Sequence, residues 1–231
     1  IYNRGKIPIL VGGTGFYIQA VLNDIAFTKE KQGDEIRADL QNLAKEKGAS
    51  YLHHELQKVD KESAEAIHPN NIKRVIRALE YFQSTGQKFS DHNKEERQKG
   101  SPYNFLYLVL TMNRKVLYER IDKRVDQMME EGLVKEVKQL LDAGYSRNLV
   151  SMQGLGYKEI ASALFKECTM EEAVYRLKRD TRHFAKRQMT WFRRERDVTM
   201  INKDNFSNNH EIVNYIMKLA VEKGICSCRE G

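Results

Sequence analysis

The chain has 231 residues and a net charge of +7, from 39 Lys and Arg against 32 Asp and Glu. Apolar residues make up 41% of the sequence and charged residues 31%, which is typical of a folded protein and excludes a disordered chain. No apolar run approaches the roughly 20 residues of a membrane span, and no signal segment opens the sequence. Three cysteines exclude a disulfide scaffold, so we expect a protein of the reducing cytoplasm.

The first predicted elements are a strand, a glycine turn and a helix. The apolar run from Lys6 to Val11 predicts a short buried strand that opens directly into Gly12-Gly13-Thr14-Gly15, and residues 16–22 are predicted to be helical. Apolar residues at helical spacing predict further helices at 34–47, 50–59, 61–67 and 70–83. The loops predicted around them are residues 23–33 and 87–102.

The second half begins with a predicted strand in the interior of a sheet. Residues 105–112 are continuously apolar, which is typical of a strand that is covered on both faces. The elements predicted after it are helices at 113–129 and 133–141, a loop at 145–156, a short helix from 157, a long helix from 169, a strand at 198–201 and a helix at 211–223. Few strands among many helices indicate an α/β core, residues 1–27 and 101–231, with a mainly helical insertion at 28–100.

The positive charge is concentrated in one segment. Residues 175–196 hold nine basic and two acidic residues, a local charge of +7, so the rest of the chain is balanced. On a helix of about 3.6 residues per turn, one side carries Arg179, Arg182, Lys186 and Arg193, and the opposite side carries Leu177, Phe184, Trp191 and Phe192. Like charges one turn apart repel unless an anion relieves them, so the pattern favours binding of a polyanion. A solvated basic helix over a buried aromatic stripe is the alternative.

The glycine turn has the form of a phosphate-binding site. Glycines let the backbone approach an anion, the start of a helix presents free N–H donors, and Thr14 adds a hydroxyl. The turn is not a Walker A loop, because no lysine follows at the required spacing. A plain turn between a strand and a helix needs glycine as well, so both interpretations stay open.

Two further groups of arginines could contact anions. Arg74, Arg77 and Tyr81 share a helix face, which suits contacts with phosphate and base, although a surface helix end has the same pattern. Arg114, Arg120 and Arg124 follow the predicted inner strand, at the edge of the sheet where ligands of α/β proteins gather. Guanidinium groups there could neutralise a pyrophosphate, but surface ion pairs with neighbouring acids explain the spacing equally well.

The sequence shows little sign of a metal centre. His53-His54-Glu55 lacks the spacing of a zinc-binding helix, and Cys168, Cys226 and Cys228 are too few for a closed zinc site, which needs about four ligands. No metal-ligating residue is therefore predicted.

Four segments in a fixed order resemble one family. They are GGTGFY after the first strand, HPNNIKRVIRALE at 68–80, SMQGLGYKE at 151–159 and TRHFAKRQMTWFRR at 181–194. Together they are similar to the signature segments of bacterial tRNA dimethylallyltransferases, also called tRNA isopentenyl transferases, over residues 6–201. The resemblance implies a P-loop-kinase-like parallel-sheet core with a mostly helical insertion domain. It also implies transfer of a dimethylallyl group to N6 of the adenine adjacent to the anticodon, with release of pyrophosphate.

The resemblance further implies partners and site residues. The expected partners are the tRNA anticodon stem-loop and dimethylallyl diphosphate, with Mg²⁺ as cofactor, no membrane and a monomeric protein. Thr14 is expected at the reaction channel as the catalytic position in this chain. The residues expected to bind the diphosphate are Gly12, Gly13, Arg120, Arg124 and Arg182. The residues expected to contact tRNA are Arg37, Lys73, Arg74, Arg77, Gln153, Gly154, Gly156, Tyr157, Lys158, Lys186, Arg187, Gln188, Thr190, Trp191 and Arg193.

One departure from the family pattern matters. Its members carry a P-loop with Gly, Lys and Ser or Thr, and a segment with the catalytic aspartate, ahead of the glycine turn. This chain begins at Ile1 and shows neither element. We therefore expect a sheet core that is incomplete at its N-terminus, assign no general base, and expect the chain alone to be inactive.

Two other functions fit the same residues. A non-catalytic RNA-binding module would need only the basic helix and its aromatic residues. A phosphotransferase of the nucleotide-kinase type would use arginines on an α/β core but would not need the basic helix. A steep loss of tRNA affinity with added salt separates the RNA-binding functions from the kinase.

Overall fold

The structure is a computed structural model that describes residues 1–25 and 33–227, except for the side chains of residues 33, 34 and 97. Most of the predicted loop at 23–33 and Cys228 lie outside the described residues. The chain divides into two compact units, which we call the sheet unit (Ile1–Gly15 and Asn104–Gly231) and the helical unit (Phe16–Tyr103). The insertion boundaries at residues 28 and 100 stay a prediction. In the described part of the chain, no helix is both long and apolar enough to cross a membrane.

The helical unit is a small bundle with its own core. Its described helices are α1 (Gly15–Leu22, whose first residue belongs to the sheet unit), α2 (Gly33–Lys47), α3 (Ala49–Val59), α4 (Lys61–Ala66), α5 (Ile72–Thr85) and α6 (Phe89–Gln98). Leu40 of α2, Leu52 and Leu56 of α3, and Val75 and Leu79 of α5 are buried together. These apolar residues recur at helical spacing, which is why helices α1 to α5 are confirmed within two residues of their predicted bounds.

The predicted loop at 87–102 is wrong, because residues 89–98 form α6. Its sequence has a single large apolar residue, Phe89, so no helical periodicity is visible. The start of α6 is fixed by the buried Asp60, which accepts hydrogen bonds from the Ser90 N–H at 2.8 Å and the Ser90 hydroxyl at 2.7 Å. The same carboxylate accepts the Ser63 N–H at 3.0 Å and so also caps α4.

These hydrogen bonds also set the ionisation of Asp60. Burial raises the pKa of this carboxyl group, but the donors on Ser63 and Ser90 stabilise the charged form more strongly. The pKa of Asp60 is therefore lowered, and the carboxylate stays charged at neutral pH.

The sheet unit combines a two-stranded parallel sheet with helices. Its described elements are β1 (Tyr107–Thr111), α7 (Arg114–Glu130), α8 (Leu133–Asp142), α9 (Tyr157–Leu164), α10 (Met170–Phe192), β2 (Val198–Asn202) and α11 (Asn209–Glu222). Strand β1 pairs with β2 in parallel, Tyr107 opposite Val198. Val137, Ile160 and Leu177 are buried in a core that α7, α8, α9 and α10 share. All these elements are confirmed at their predicted positions, and the class is α/β with a small parallel sheet.

Two predictions about strands are wrong. Residues 6–11 form no strand, and their side chains are exposed, with Ile9 82% and Val11 88% accessible. A strand needs the backbone groups of a neighbouring strand, and in the described part of the chain the only ladder joins β1 to β2. For the same reason β1 is not an interior strand among the described residues, and Leu110 is 53% exposed. An apolar run predicts that a segment is buried, but it does not show whether another strand lies beside it to form the hydrogen bonds of a sheet.

Candidate functional site

Helix α10 carries the basic segment and packs against α7 and α9. It begins as predicted, because the Thr169 hydroxyl accepts the Glu172 N–H at 3.1 Å. Leu177 and Phe192 are buried as predicted, but Phe184 is 42% exposed, so the continuous buried aromatic stripe is wrong. The Phe184 ring is covered only in part, by the Arg187 guanidinium group at 5.9 Å from the ring centroid.

The basic residues of α10 fall into two groups. In residues 170–182, which we call the paired half, each basic side chain meets a carboxylate. Arg182 contacts Asp122 at 2.5 Å and Lys178 contacts Asp126 at 2.6 Å, both acids of α7. Within α10 the pairs are Arg176 with Glu172 and Arg179 with Asp180. The expectation that an external anion relieves the whole cationic face is therefore wrong for this half.

The remaining residues of the helix, 183–192, together with Arg193 directly after its end, form what we call the free half. Lys186, Arg187 and Arg193 are exposed, and within the described chain none of them has an ion pair. Unneutralised cations on one side of a helix attract a polyanion, because they can replace its counterions. The free half is therefore the part of α10 that suits RNA.

The glycine turn sits directly on the free half. Gln188 donates a hydrogen bond from Nε2 to the carbonyl oxygen of Gly13 at 2.8 Å. A Cβ atom on Gly15 would stand 2.2 Å from the Trp191 ring, so only glycine fits there. Thr14 lies between these two contacts. The turn and the basic helix, whose contacting residues Gly13 and Gln188 are 175 positions apart in the sequence, form one site in the sheet unit.

A buried polar atom of α10 beside the glycine turn has no hydrogen-bond partner among the described residues. This atom is Nε1 of Trp191. Gly12 has open space around it. Gly13, predicted to bind the diphosphate, and Gly15, next to the predicted catalytic position Thr14, thus contact Gln188 and Trp191, two of the residues predicted to contact tRNA.

Helix α7 separates the three arginines that were predicted to bind the diphosphate. Arg182 reaches the face of α7 that carries Asp122, and it lines a cavity of about 500 Å³ with Arg114 and Lys115. Arg120 and Arg124 point roughly 160–200° away from Asp122 on a regular helix, and neither lines this cavity. Their roles stay predictions.

Lys115 was not predicted, and Arg114 was named only among the arginines that could neutralise a pyrophosphate, not among the residues expected to bind the diphosphate. The signal was the spacing of Arg114, Tyr118 and Asp122, which places them on one face of α7, the face that meets Arg182. Sequence alone did not reveal which face of α7 meets α10.

The loop before α9 holds another group of predicted tRNA residues. Gly156 adopts a φ of 101°, and its N–H donates to the buried Glu159 carboxylate at 2.9 Å, which starts α9. Lys158 lies 3.4 Å from the other oxygen of Glu159. The Tyr157 hydroxyl donates to Glu136, and this hydrogen bond raises the pKa of Tyr157. Gly154 and Gly156 therefore shape the loop, and Lys158 and Tyr157 are engaged within the protein.

An arginine anchors the same loop from the other side. Gln153 donates from Nε2 to the Arg147 carbonyl oxygen at 2.7 Å, and Arg147 pairs with Glu167 just before α10. The Arg147 guanidinium lowers the pKa of Glu167 to about 2. A cavity of about 450 Å³ lies between this loop and the paired half, with Lys158 and Arg179 on its wall.

The helical unit carries its own cationic group. Arg37 of α2 and Arg77 of α5 both contact Glu80, whereas Lys73 and Arg74 are exposed and have no ion pair within the described residues. All four cations were predicted to contact tRNA. Glu80 was not predicted, although its position one turn after Arg77 was a visible signal.

The described residues offer no protein-built metal site, because no group of three His, Cys, Asp or Glu side chains converges within them. The two described cysteines, Cys168 and Cys226, are free thiols. The described residues therefore do not match a Mg²⁺ site made of protein ligands alone.

Comparison with known proteins gives the family. The IPP transferase profile matches residues 1–195. The tRNA dimethylallyltransferase of Lachnoclostridium phytofermentans is 56% identical over 225 residues, which are 97% of this chain and 72% of that protein. That of Acetivibrio thermocellus is 49% identical over 213 residues, 92% of this chain and 68% of that protein.

Solved structures agree with the sequence comparison. The full-length tRNA isopentenylpyrophosphate transferase of Bacillus halodurans is 43% identical, with a TM-score of 0.64 over 97% of this chain and 70% of that chain. A eukaryotic dimethylallyltransferase acting on tRNA is 27% identical, with a TM-score of 0.73 over 94% of this chain and 59% of that chain. The chain therefore belongs to the IPP transferase family, the enzyme family of the tRNA dimethylallyltransferases. The resemblance in the four sequence segments is confirmed.

Proposed function

We propose that this protein transfers a dimethylallyl group from dimethylallyl diphosphate to N6 of the adenine adjacent to the anticodon in tRNA. Family membership supports the reaction. The observation that carries the proposal is the seat of the glycine turn on the free half of α10, through Gln188 and Trp191. It joins a turn suited to phosphate with cations suited to RNA in one unit. A P-loop-kinase-like core is part of the proposal, and the parallel β1–β2 pair fits it.

The chemistry needs both parts of that site. The N6 lone pair of adenine is delocalised into the ring, so the amine is a weak nucleophile and must be held close to the allylic carbon. The base has to leave the anticodon stack to reach it, and cations such as Lys186 and Arg193 hold the RNA backbone while this happens. Thr14, fixed between Gly13 and Gly15, is proposed to face the reaction channel.

The bond changes follow from the substrates. The N6 lone pair forms a bond to the first carbon of the allyl group, the C–O bond to the diphosphate breaks, and its electron pair leaves with pyrophosphate. N6 then loses a proton to a general base, which the resemblance assigns to an aspartate and for which we name no residue in this chain. Hydrogen-bond donors of the glycine turn and guanidinium groups stabilise the charge that develops on the leaving group.

We also propose Mg²⁺ as the cofactor and the loop at 153–158 as a tRNA contact. Magnesium would balance charge on the diphosphate, but none of the steps above depends on it. For the loop at 153–158 the engaged side chains of Tyr157 and Lys158 favour a contact through the backbone or through rearranged side chains.

A transfer assay tests the function. The full-length encoded protein is incubated with tRNA and radiolabelled dimethylallyl diphosphate, and label in RNA is measured alongside tRNA binding at several salt concentrations. We expect label at the adenine beside the anticodon and an affinity that falls steeply with salt. Binding without label would identify a non-catalytic RNA-binding module instead. Affinity that is weak and insensitive to salt would contradict both functions.

A further inference from the structure

A buried carboxylate in the helical unit holds two arginines at once. The Glu80 side chain of α5 is only 3% exposed. Arg37 of α2 donates to it from Nη2 at 2.8 Å and from Nε at 3.2 Å, and Arg77 donates from Nη1 at 3.4 Å. One carboxylate therefore fixes guanidinium groups from two different helices.

Both arginines keep donors that face solvent. Their side chains are 44% and 45% exposed, although Glu80 itself is buried. A guanidinium group has five N–H donors, and Arg37 spends those of Nε and Nη2 on Glu80, which leaves the Nη1 edge free. The exposed edges of Arg37 and Arg77 can thus meet the same anion.

Two further cations lie close to this pair on α5. Lys73 and Arg74 lie near Arg77 on the exposed side of α5 and have no ion pair within the described residues. Two cations therefore contact the buried carboxylate, and two more lie one turn before Arg77 on α5. A group of this charge that stays open to water suits a polyanion, and a planar guanidinium fork matches the oxygens of a phosphate.

Glu80 has a second effect besides neutralising charge. Two guanidinium groups side by side repel each other, and a free arginine side chain loses conformational freedom when it binds. The hydrogen bonds to Glu80 offset the repulsion and fix the orientation of both groups before any ligand arrives. Such preorganisation strengthens binding even though the carboxylate is itself repelled by an anion.

We propose that Glu80 is a positioning residue that makes Arg37 and Arg77 a preformed clamp for one backbone phosphate of the RNA. This inference rests on the proposed function and adds to it a residue that touches no substrate. The alternative is that the contacts among these three side chains only stabilise the packing of α2 against α5.

The change Glu80→Gln separates the two explanations by the sign of its effect. It removes one negative charge beside two cations, so charge alone predicts tighter RNA binding. The clamp predicts weaker binding, because Gln keeps one acceptor oxygen and replaces the other with an NH2 group, so the two-oxygen contact with Arg37 is lost. We expect the dissociation constant of an anticodon stem-loop RNA to rise about tenfold. The full-length protein should keep its kcat at saturating RNA, and its KM for the RNA should increase.

The matched control is Glu55→Gln in the same unit. Glu55 is half-buried on α3, where it pairs with Lys58, so its loss removes the same charge without touching the clamp. We expect unchanged or slightly tighter RNA binding. A second probe is Arg37→Lys, which keeps the charge but cannot form the two-atom contact with Glu80, and we expect it to weaken RNA binding several-fold.

Three results would overturn the clamp. Glu80→Gln or Arg37→Lys could leave RNA binding unchanged or tighter. The effect of Glu80→Gln could persist in a protein that already carries Arg37→Ala and Arg77→Ala, which would mean that only the fold was affected. A wild-type protein that does not bind the RNA would contradict the proposed function and the clamp together, whereas normal wild-type binding with a neutral Glu80→Gln contradicts the clamp alone.

Discussion

The two halves of α10 carry similar basic residues but place them in opposite electrostatic settings. In the paired half Lys178 and Arg182 meet Asp126 and Asp122 of α7, whereas in the free half Lys186 and Arg193 have no acidic partner among the described residues. Surface ion pairs contribute little to stability, but they remove the charge that a polyanion would otherwise meet. A cationic face predicted from helical spacing is therefore two surfaces with different roles.

The largest effect is expected where the glycine turn meets the free half. Gly15→Ala would place a Cβ atom 2.2 Å from the Trp191 ring, so the turn must move away from α10. Misplacement by about 1 Å can cost on the order of a hundredfold in rate, and we expect a loss of this size in kcat/KM for transfer. Gly100→Ala is the control, because a Cβ atom there has no neighbour within 4 Å. Equal activity of both variants would mean that the seat of the turn is unimportant.

The next effect compares the two halves directly. Lys186→Ala with Arg193→Ala removes two unpaired cations, and we expect about tenfold weaker tRNA binding and a salt dependence shallower by roughly 1–2 phosphate contacts. Arg176→Ala with Lys178→Ala removes the same charge from the paired half, where Glu172 and Asp126 already neutralise it. We expect this control to lose less than about threefold. An equal loss of tRNA affinity in both double variants would contradict the proposed difference between the two halves.

A smaller effect is expected when one cation of the paired half loses its acidic partner and becomes unpaired, like the cations of the free half. Asp122→Asn removes the carboxylate that holds Arg182 and leaves the guanidinium charge uncompensated. We expect tRNA binding to tighten about two- to threefold at low salt and to return to the wild-type value at high salt. Filter binding at two ionic strengths measures both. Weaker binding at low salt would mean that the pair itself positions the RNA.

The smallest effect concerns the corner before α10. Arg147 lowers the pKa of Glu167 from 4.5 to about 2, so the pair stabilises the folded state fully above the pKa of the unfolded chain, near pH 4.5, and this stabilisation is lost as the pH falls toward 2. We expect Glu167→Gln to lower the melting temperature slightly and by a constant amount from pH 8 to 5. The difference from wild type should shrink below pH 4.

Thermal unfolding at pH 6 and pH 3 measures that change. Glu65→Gln is the control, because the Glu65 carboxylate is 3.9 Å from Lys61 at an exposed site. A difference between wild type and Glu167→Gln that stays the same at both pH values would contradict the role of Arg147.

The sequence predicted the helices correctly where apolar residues recur at helical spacing and where capping residues or glycines mark the helix ends. Leu52, Leu56 and Val75 mark helices because their spacing puts them on one buried face. Prediction failed for α6, whose start depends on Asp60 thirty residues earlier, and for residues 6–11, whose apolar run has no strand beside it among the described residues. Each failure concerns a partner that is distant in the sequence.

The candidate site shows the same limit. The glycine turn, the arginines of α5 and the basic helix were all visible as residue types, and the family resemblance pointed to them as substrate contacts. The role of Glu80 was not predicted, because its spacing one turn after Arg77 is equally typical of an ordinary ion pair on a surface helix. Its burial against Arg37, 43 residues away, distinguishes it.

The sequence by itself determined the charge of α10, the glycines of the turn and the family, because charge, conformational freedom and the order of motifs belong to the residues themselves. Only the tertiary structure decided which cations are neutralised, since the acids that meet Lys178 and Arg182 come from α7 more than 50 residues earlier. It also decided that the turn rests on Gln188 and Trp191. Both depend on distances between residues far apart in the chain, and packing of the helices sets those distances.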